Sequence, residues 1–471
     1  MDDHFQFGGG ASESTMHPIV LAATLCAALG ILILPKKYAF APILIIAFLV
    51  PVGQQVLFGG FHFFAVRILI IVGSLRLIAA FFRKRLFGQG LQSIDKMILA
   101  LPILHAVTFI LLFRDTGAVT YEFGFLLDAC GGYLLFRYFV QDRGDVLQVA
   151  KTLVFVAAVL AICMGYEYLT RVNLFSYINS FTIVPWVREG RVRAQGTFSN
   201  SITAGAFGAT LFPLFFWLWK CTKAKLLGAA GLIAASVIAL TSMASTGLMA
   251  YLAGILALCL WPIRNYMRPL RWGIVLTVLG LALVMKAPVW FIIARVDVIG
   301  GHGWDRAALI DAAVRHFSDW WLLGTRTNAS WGADTWDACN EFVYQATSGG
   351  LASFVLFVAI LFRAFGMIGS ARKRVQGKRR EEWFFWCLGA VLFAHVMAFW
   401  GIDYFDSIRD WWYIFLAVIP AATLSSFSKR RPVVLVREPS YTGQPDEAMS
   451  ADFRERLHPH IGLTEPRNVF S

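Results

Sequence analysis

Three arginines, Arg188, Arg191 and Arg193, fall within six positions of the run PWVREGRVRAQGTFSNSITAGAFGATLF. A guanidinium is a planar fork of donors that grips two oxygens at once, so arginines at this density suit a phosphate group. The QGTFSN turn leads into a helix start rich in Gly and Ala. Ser199 and Asn200 are good N-cap residues there, and a helix N-terminus beside arginines itself attracts anions. The same run also fits a rim that binds lipid headgroups.

A fourth arginine, Arg306, lies in the longest polar interruption of the chain, GHGWDRAALIDAAVRHFSDWWLLGTRTNASWGADTWDACN, residues 301–340. Between 304 and 322 the apolar residues Leu309, Ile310, Ala313, Val314, Phe317, Trp320 and Trp321 recur at helical spacing, which predicts one amphipathic helix. Asp311, Arg315, Ser318 and Asp319 fall on its other side, whereas Arg306 projects into the apolar stripe. Two readings fit: a cation snorkelling toward headgroups, or a helix lying over the mouth of a bundle and aiming its inward charge at an anionic ligand.

The elements that must position these residues are apolar. The 471 residues are 58% hydrophobic and 15% charged, with a mean hydropathy of +0.63. Runs of about 20 apolar residues recur from end to end, each long enough to cross a bilayer and apolar all round, unlike the alternating strands of a barrel. The reading is an all-α polytopic membrane protein with about thirteen transmembrane helices, or twelve if the first run does not cross.

Net charge is +13, and the basic clusters sit between the apolar runs, where they set orientation, so no nucleic acid is expected. Clusters such as Lys36–Lys37, Lys220–Lys225, Arg372–Arg380 and Lys429–Arg431 occupy every second connection and are expected in the cytoplasm. The acidic N-terminal tail (1–16), a first outer loop (170–200) and a long outer loop (292–341) then face outward. The transmembrane domain covers 17–427, and 428–471 is a polar tail without periodicity, expected to be disordered. The seven cysteines show no pairing or metal-ligand spacing, and neither a metal nor a cofactor is expected.

Charges inside the apolar runs are costly and tend to pair. Arg67 or Arg76 with Asp128 is the expected ion pair; Glu122, Arg137, Glu167 and His395 are further candidates, and Glu167 or Arg67 could line a substrate cavity. Trp383, Trp386, Trp411 and Trp412, at the ends of runs, read as interface anchors.

The order of motifs resembles one known group. Arg193, Gly196, Thr197, Phe198 and Asn200 precede a small-residue helix. Roughly a hundred residues later comes a long outer loop with the inward Arg306, a W-x-L-G turn (Trp321, Leu323, Gly324) and a helix start at Asn340 with Gly349 and Gly350. Over roughly residues 171–368 this is similar to the O-antigen ligase and Wzy-type polymerase superfamily. The resemblance implies a metal-independent membrane glycosyltransferase. It would act on undecaprenyl-diphosphate-linked glycans at the outer face of the bacterial inner membrane, with Arg193 and Arg306 on the lipid diphosphate.

The chain departs from that pattern at one place. Ligases of the group carry His-Asn at the end of the long loop, the histidine being the proposed base; here the pair is Cys339-Asn340. A thiol in an apolar setting is a poor base. Asp337, His302 and His316 are the substitutes, and Asp337 is the expected third catalytic residue beside Arg193 and Arg306. Arg188, Arg191, Gln195, Asn200, His302, Arg326 and Asn340 complete the expected substrate-binding set. The missing histidine favours an exopolysaccharide or O-antigen polymerase over a ligase to lipid A core. Membrane lipids, a chain-length regulator and export machinery are the expected partners. A flippase for lipid-linked sugars is the competing reading of another class. The absence of a phosphate-binding loop speaks against a primary pump, and that of paired broken spans against a secondary transporter.

Overall fold

The computed structural model describes residues 14–83, 90–179, 182–188, 190–295, 303–332, 335 and 339–428. Two of the expected site residues, His302 and Asp337, lie outside the described residues.

The fold is mostly helical. Helices α1 (Pro18–Ile33) and α2 (Ala41–Leu49) are followed by a hairpin of β1 (Gln55–Phe58) and β2 (Phe61–Phe64), then α3 (Ala65–Phe82), α4 (Ser93–Phe113) and α5 (Thr116–Leu126). A π-turn at Leu127–Gly131 joins α5 to α6 (Gly132–Phe139), and α7 (Arg143–Thr170) leads to a second hairpin, β3 (Trp186–Arg188) with β4 (Arg191–Arg193). Next come α8 (Ser201–Cys221), α9 (Lys225–Thr241), α10 (Ser245–Cys259) and α11 (Met267–Val284). The long loop carries α12 (Gly303–Arg315) and α13 (Phe317–Trp320), and α14 (Glu341–Arg374), α15 (Arg379–Phe399) and α16 (Asp406–Ser428) complete the order.

Among the described residues seven helical segments are long and apolar enough to cross a membrane: 65–82, 93–113, 143–170, 201–221, 261–284, 341–374 and 379–399. The apolar helices α1, α9 and α10 are shorter. The thirteen crossings expected from hydropathy include these seven; the others fall on the shorter α1, α2, α9 and α10, on α5 and α6 across the π-turn, and on α16. Large apolar side chains such as Ile162 and Phe362 point outward, 72% and 75% exposed, as they do where lipid is the solvent.

Basic residues meet at one end of the bundle. Arg372 donates to the Arg264 carbonyl at 3.0 Å, Arg264 pairs with Glu382 at 3.4 Å, and Lys220 lies 4.5 Å over the Trp383 ring. Trp383, Trp411 and Trp412 are buried, which corrects their reading as interface anchors. Trp383 stacks on Trp261 at 3.9 Å and Trp411 donates to the Thr210 hydroxyl at 3.0 Å. Arg67 does pair with Asp128, at 2.5 Å, whereas Arg76 donates to the Ile31 and Leu34 carbonyls at the end of α1.

The expected amphipathic helix of the long loop is two helices. At His316 (φ −97°, ψ 32°) the backbone leaves the helical region, and the ring lies parallel to Trp331, with centroids 5.2 Å apart. The Trp320 indole then donates to the Ala313 carbonyl at 2.7 Å, so one carbonyl near the break is satisfied by a side chain. Leu309 and Ala313 are buried against Val343 of α14, but Val314, Phe317 and Trp321 of the expected stripe are exposed.

The W-x-L-G turn and the double glycine answer one another. Gly350 kinks α14 at φ 71°, and the Leu351 amide donates to the Trp321 carbonyl at 2.9 Å. Thr325 donates to the Thr347 carbonyl at 2.6 Å, clamping the loop end to the same kink. A Cβ on Gly350 would sit 2.5 Å from the Leu322 carbonyl oxygen. Gly350→Ala therefore combines positive-φ strain with a backbone clash and should destabilise the protein by at least about 2 kcal/mol. A melting temperature in detergent equal to that of the parent would contradict this account of the kink.

Candidate anion site at one end of the bundle

The β3–β4 hairpin pairs Trp186 with Arg193, Val187 with Val192 and Arg188 with Arg191. Directly opposed residues project to one face and successive residues alternate, so all three arginines and Trp186 share a face while the valines take the other. Gly190 in the turn has φ 75°, a conformation that suits glycine. Val192 is buried and fixes which way the ribbon lies.

Beyond the strand, each member of the R-x-x-G-T-F-x-N run has a separate job. The Ala194 amide donates to the Thr241 carbonyl at the end of α9, 3.1 Å away. Glu167, buried in the last turn of α7, accepts from the amides of Gln195 (3.2 Å) and Gly196 (2.9 Å). Gly196 takes φ +60°, and its carbonyl accepts from the Asn173 side chain at 2.8 Å. The Thr197 hydroxyl donates to the Phe48 carbonyl at 2.8 Å, and Phe198 packs on Phe207 with ring centroids 5.3 Å apart. Asn200 caps α8, accepting from the Thr203 amide at 2.9 Å. The turn is thus tied to α2, α7, α8 and α9, and Arg193 is held half-buried at its start.

Arg306 arrives from the long loop. It is half-buried on α12, as its place in the stripe predicts, and its Nη2 donates to the Thr246 hydroxyl at 2.8 Å. That hydroxyl donates in turn to the Gly401 carbonyl at 3.1 Å, so α10 and the α15–α16 connection orient the guanidinium. Close approach of α8 and α10 makes this possible: a Cβ on Gly247 would meet the Gly205 Cα at 2.8 Å.

The two arginines are close enough to sense each other. Burial, and then the positive charges of Arg188 and Arg306, push the pKa of Arg193 below the ordinary guanidinium value. An arginine remains charged under such a shift, so the cost appears as electrostatic repulsion that a bound anion would relieve. The Arg193 Nε is buried and has no hydrogen-bond partner, an orphaned donor of the kind a ligand oxygen satisfies. Arg188, Arg193 and Arg306 thus form one electropositive group, with Arg191 on the same ribbon face.

Other expected site residues serve the fold. Gln195 and Asn200 belong to the turn and the cap. Asn340 is fully buried, accepts from the amides of Phe342 (2.9 Å) and Val343 (3.2 Å) and caps α14, so it does not present an amide to an acceptor sugar. Arg326 donates to the Leu112 carbonyl at 2.9 and 3.2 Å, where a cation complements the C-terminus of α4. His316 donates from Nδ1 to the Ala312 carbonyl of its own helix at 2.9 Å and stacks on Trp331, which accounts for its position at the helix break.

Sequence reasoning missed Thr246 and Gly401 and misjudged Glu167. A Thr after a Ser at a helix start reads as a cap, and nothing local marks Gly401. Glu167 was noticeable as a carboxylate in an apolar run, but only the folded chain places it under the turn that carries Arg193. A scan of known protein families finds no family model that matches this chain, and no curated protein matches its sequence.

Proposed function

We propose that the chain is a metal-independent membrane glycosyltransferase that polymerises glycan repeat units carried on undecaprenyl diphosphate, at the periplasmic face of a bacterial inner membrane. The observation that supports it is that Arg193 has an unsatisfied buried donor and senses the positive charge of Arg306, which comes from a loop roughly a hundred residues away. In the reaction an acceptor hydroxyl oxygen bonds to the anomeric carbon of the donor sugar while the bond from that carbon to the diphosphate oxygen breaks. The diphosphate leaves with the electron pair, and the hydroxyl proton passes to a base, for which Asp337 is the candidate. Charge therefore builds on the diphosphate, and guanidiniums already in place stabilise it without reorganising.

Polymerase is preferred to ligase because Cys339 stands where the ligases carry histidine. The test is the glycan size profile of a deletion strain complemented with the parent chain or with Arg306→Ala, with membrane insertion checked by immunoblot. The parent should restore a ladder, and Arg306→Ala should leave single repeat units on the lipid carrier. Full-length glycan accumulating on the carrier would replace the polymerase with a ligase. Normal chain length in Arg306→Ala would remove the enzyme altogether and turn attention to the charges within the helices, as a flippase requires.

A further inference from the structure

A cavity of about 700 Å³ lies between the β1–β2 hairpin and the first turns of α3, α5 and α16. It adjoins the anion site. The Val52 amide in its wall donates to the Thr197 carbonyl at 3.2 Å, and Asp406 in its wall lies beside Ser199, so both join it to the turn that carries Arg193.

Its chemistry is the reverse of that site. Arg67 and Arg409 face four carboxylates, Asp115, Asp128, Asp406 and Asp410. The Arg67 charge is already matched by Asp128 at 2.5 Å, and the Arg409 guanidinium lies 4.9 Å over the Phe125 ring. A diphosphate entering here would meet an excess of negative charge. Phe61, Phe64, Tyr121, Phe125 and Phe405 supply ring surface among the carboxylates. Carboxylates accept from hydroxyls, and aromatic faces pack against apolar C–H surface, which together are what an uncharged sugar offers. The volume is that of a small-molecule site, several hundred cubic ångströms, and fits a short oligosaccharide.

We infer that this cavity is a binding site for the uncharged sugar residues of the substrate, while the arginine group binds the phosphates. The inference rests on the proposed glycosyl transfer for its choice of ligand, and on the cavity's own lining for its charge preference. The separation has a purpose: a glycan hydroxyl seated beside Ser199 is presented to a donor whose diphosphate is gripped at Arg193.

The test uses the full chain in nanodiscs and two probes: inorganic pyrophosphate, and the oligosaccharide released by mild acid from the lipid-linked pool of the strain that makes the protein. Binding of each is followed by titration calorimetry, with saturation-transfer NMR on the oligosaccharide. Asp410→Asn and the cavity-filling Thr120→Trp should each weaken oligosaccharide binding at least ten-fold and leave pyrophosphate binding unchanged. Arg193→Gln should do the opposite. Retained pyrophosphate binding also reports that a cavity variant is folded; if Thr120→Trp fails that check, Asp410→Asn decides. Oligosaccharide that does not bind the parent, binds both folded variants as well as the parent, or is displaced by pyrophosphate overturns the cavity assignment. Pyrophosphate binding that is indifferent to Arg193 overturns the enzyme reading instead, so the two failures are distinct.

Discussion

Loss of either Arg193 or Arg306 should slow glycosyl transfer about 100-fold, the effect of removing about 3 kcal/mol of transition-state stabilisation as for a single oxyanion donor. Loss of both should cost much less than the product of the two. The reason is their coupling: Arg193 senses the charge of Arg306, and in the proposed reaction both act on one leaving group that either alone holds poorly. The measurement is a double-mutant cycle with glutamine at each position, using purified lipid-linked repeat units and membranes that contain equal amounts of protein. Strictly multiplicative losses would mean that the two guanidiniums act on separate groups and would remove the shared diphosphate. Arg193→Lys belongs in the same series, because it keeps the charge and loses the fork; it should recover only part of the rate.

Glu167→Ala should reduce the rate by a similar factor although Glu167 touches no substrate. Its carboxylate accepts from two buried amides, those of Gln195 and Gly196, and removing it leaves both donors unpaired. Each unpaired buried donor costs about 1–3 kcal/mol, so the turn that holds Arg193 gives way before the bundle does. Glu167→Gln retains one acceptor and should recover part of the loss, a graded response that simple overall destabilisation would not give. Because the defect lies in where Arg193 sits, it should appear in pyrophosphate affinity as well as in rate. Parent-like affinity in Glu167→Ala would show that Arg193 is held by other means.

The membrane class is legible because it depends on composition, which tertiary contacts do not alter: apolar runs of crossing length remain apolar helices in the fold. The inward aim of Arg306 was legible too, since helical spacing alone places it among Leu309 and Ile310. What was not legible depends on partners far away in the chain. Val314, Phe317 and Trp321 fit the stripe by spacing, yet the helix turns at His316, where stacking on Trp331 competes with continuation. Trp411 looked like an interface anchor because it begins an apolar run, but its partner is Thr210, two hundred residues earlier. Asn340 was read as chemistry, whereas at the head of a helix the same amide satisfies two backbone donors. The R-x-x-G-T-F-x-N run misled in the same way: most of its members hold the turn, and Arg193 alone among them has an orphaned donor.

The kink at Gly350 carries a consequence for how firmly Arg306 is held. The loop end at Trp321–Thr325 is stitched to α14 on both sides of that kink, through Leu351 and Thr347, and α12 packs on Val343 just above it. Because the two attachments straddle Gly350, they brace the bend, and the segment bearing Arg306 is fixed to α14 above and below it. Loosening either attachment would therefore loosen the mount of Arg306 together with the bend.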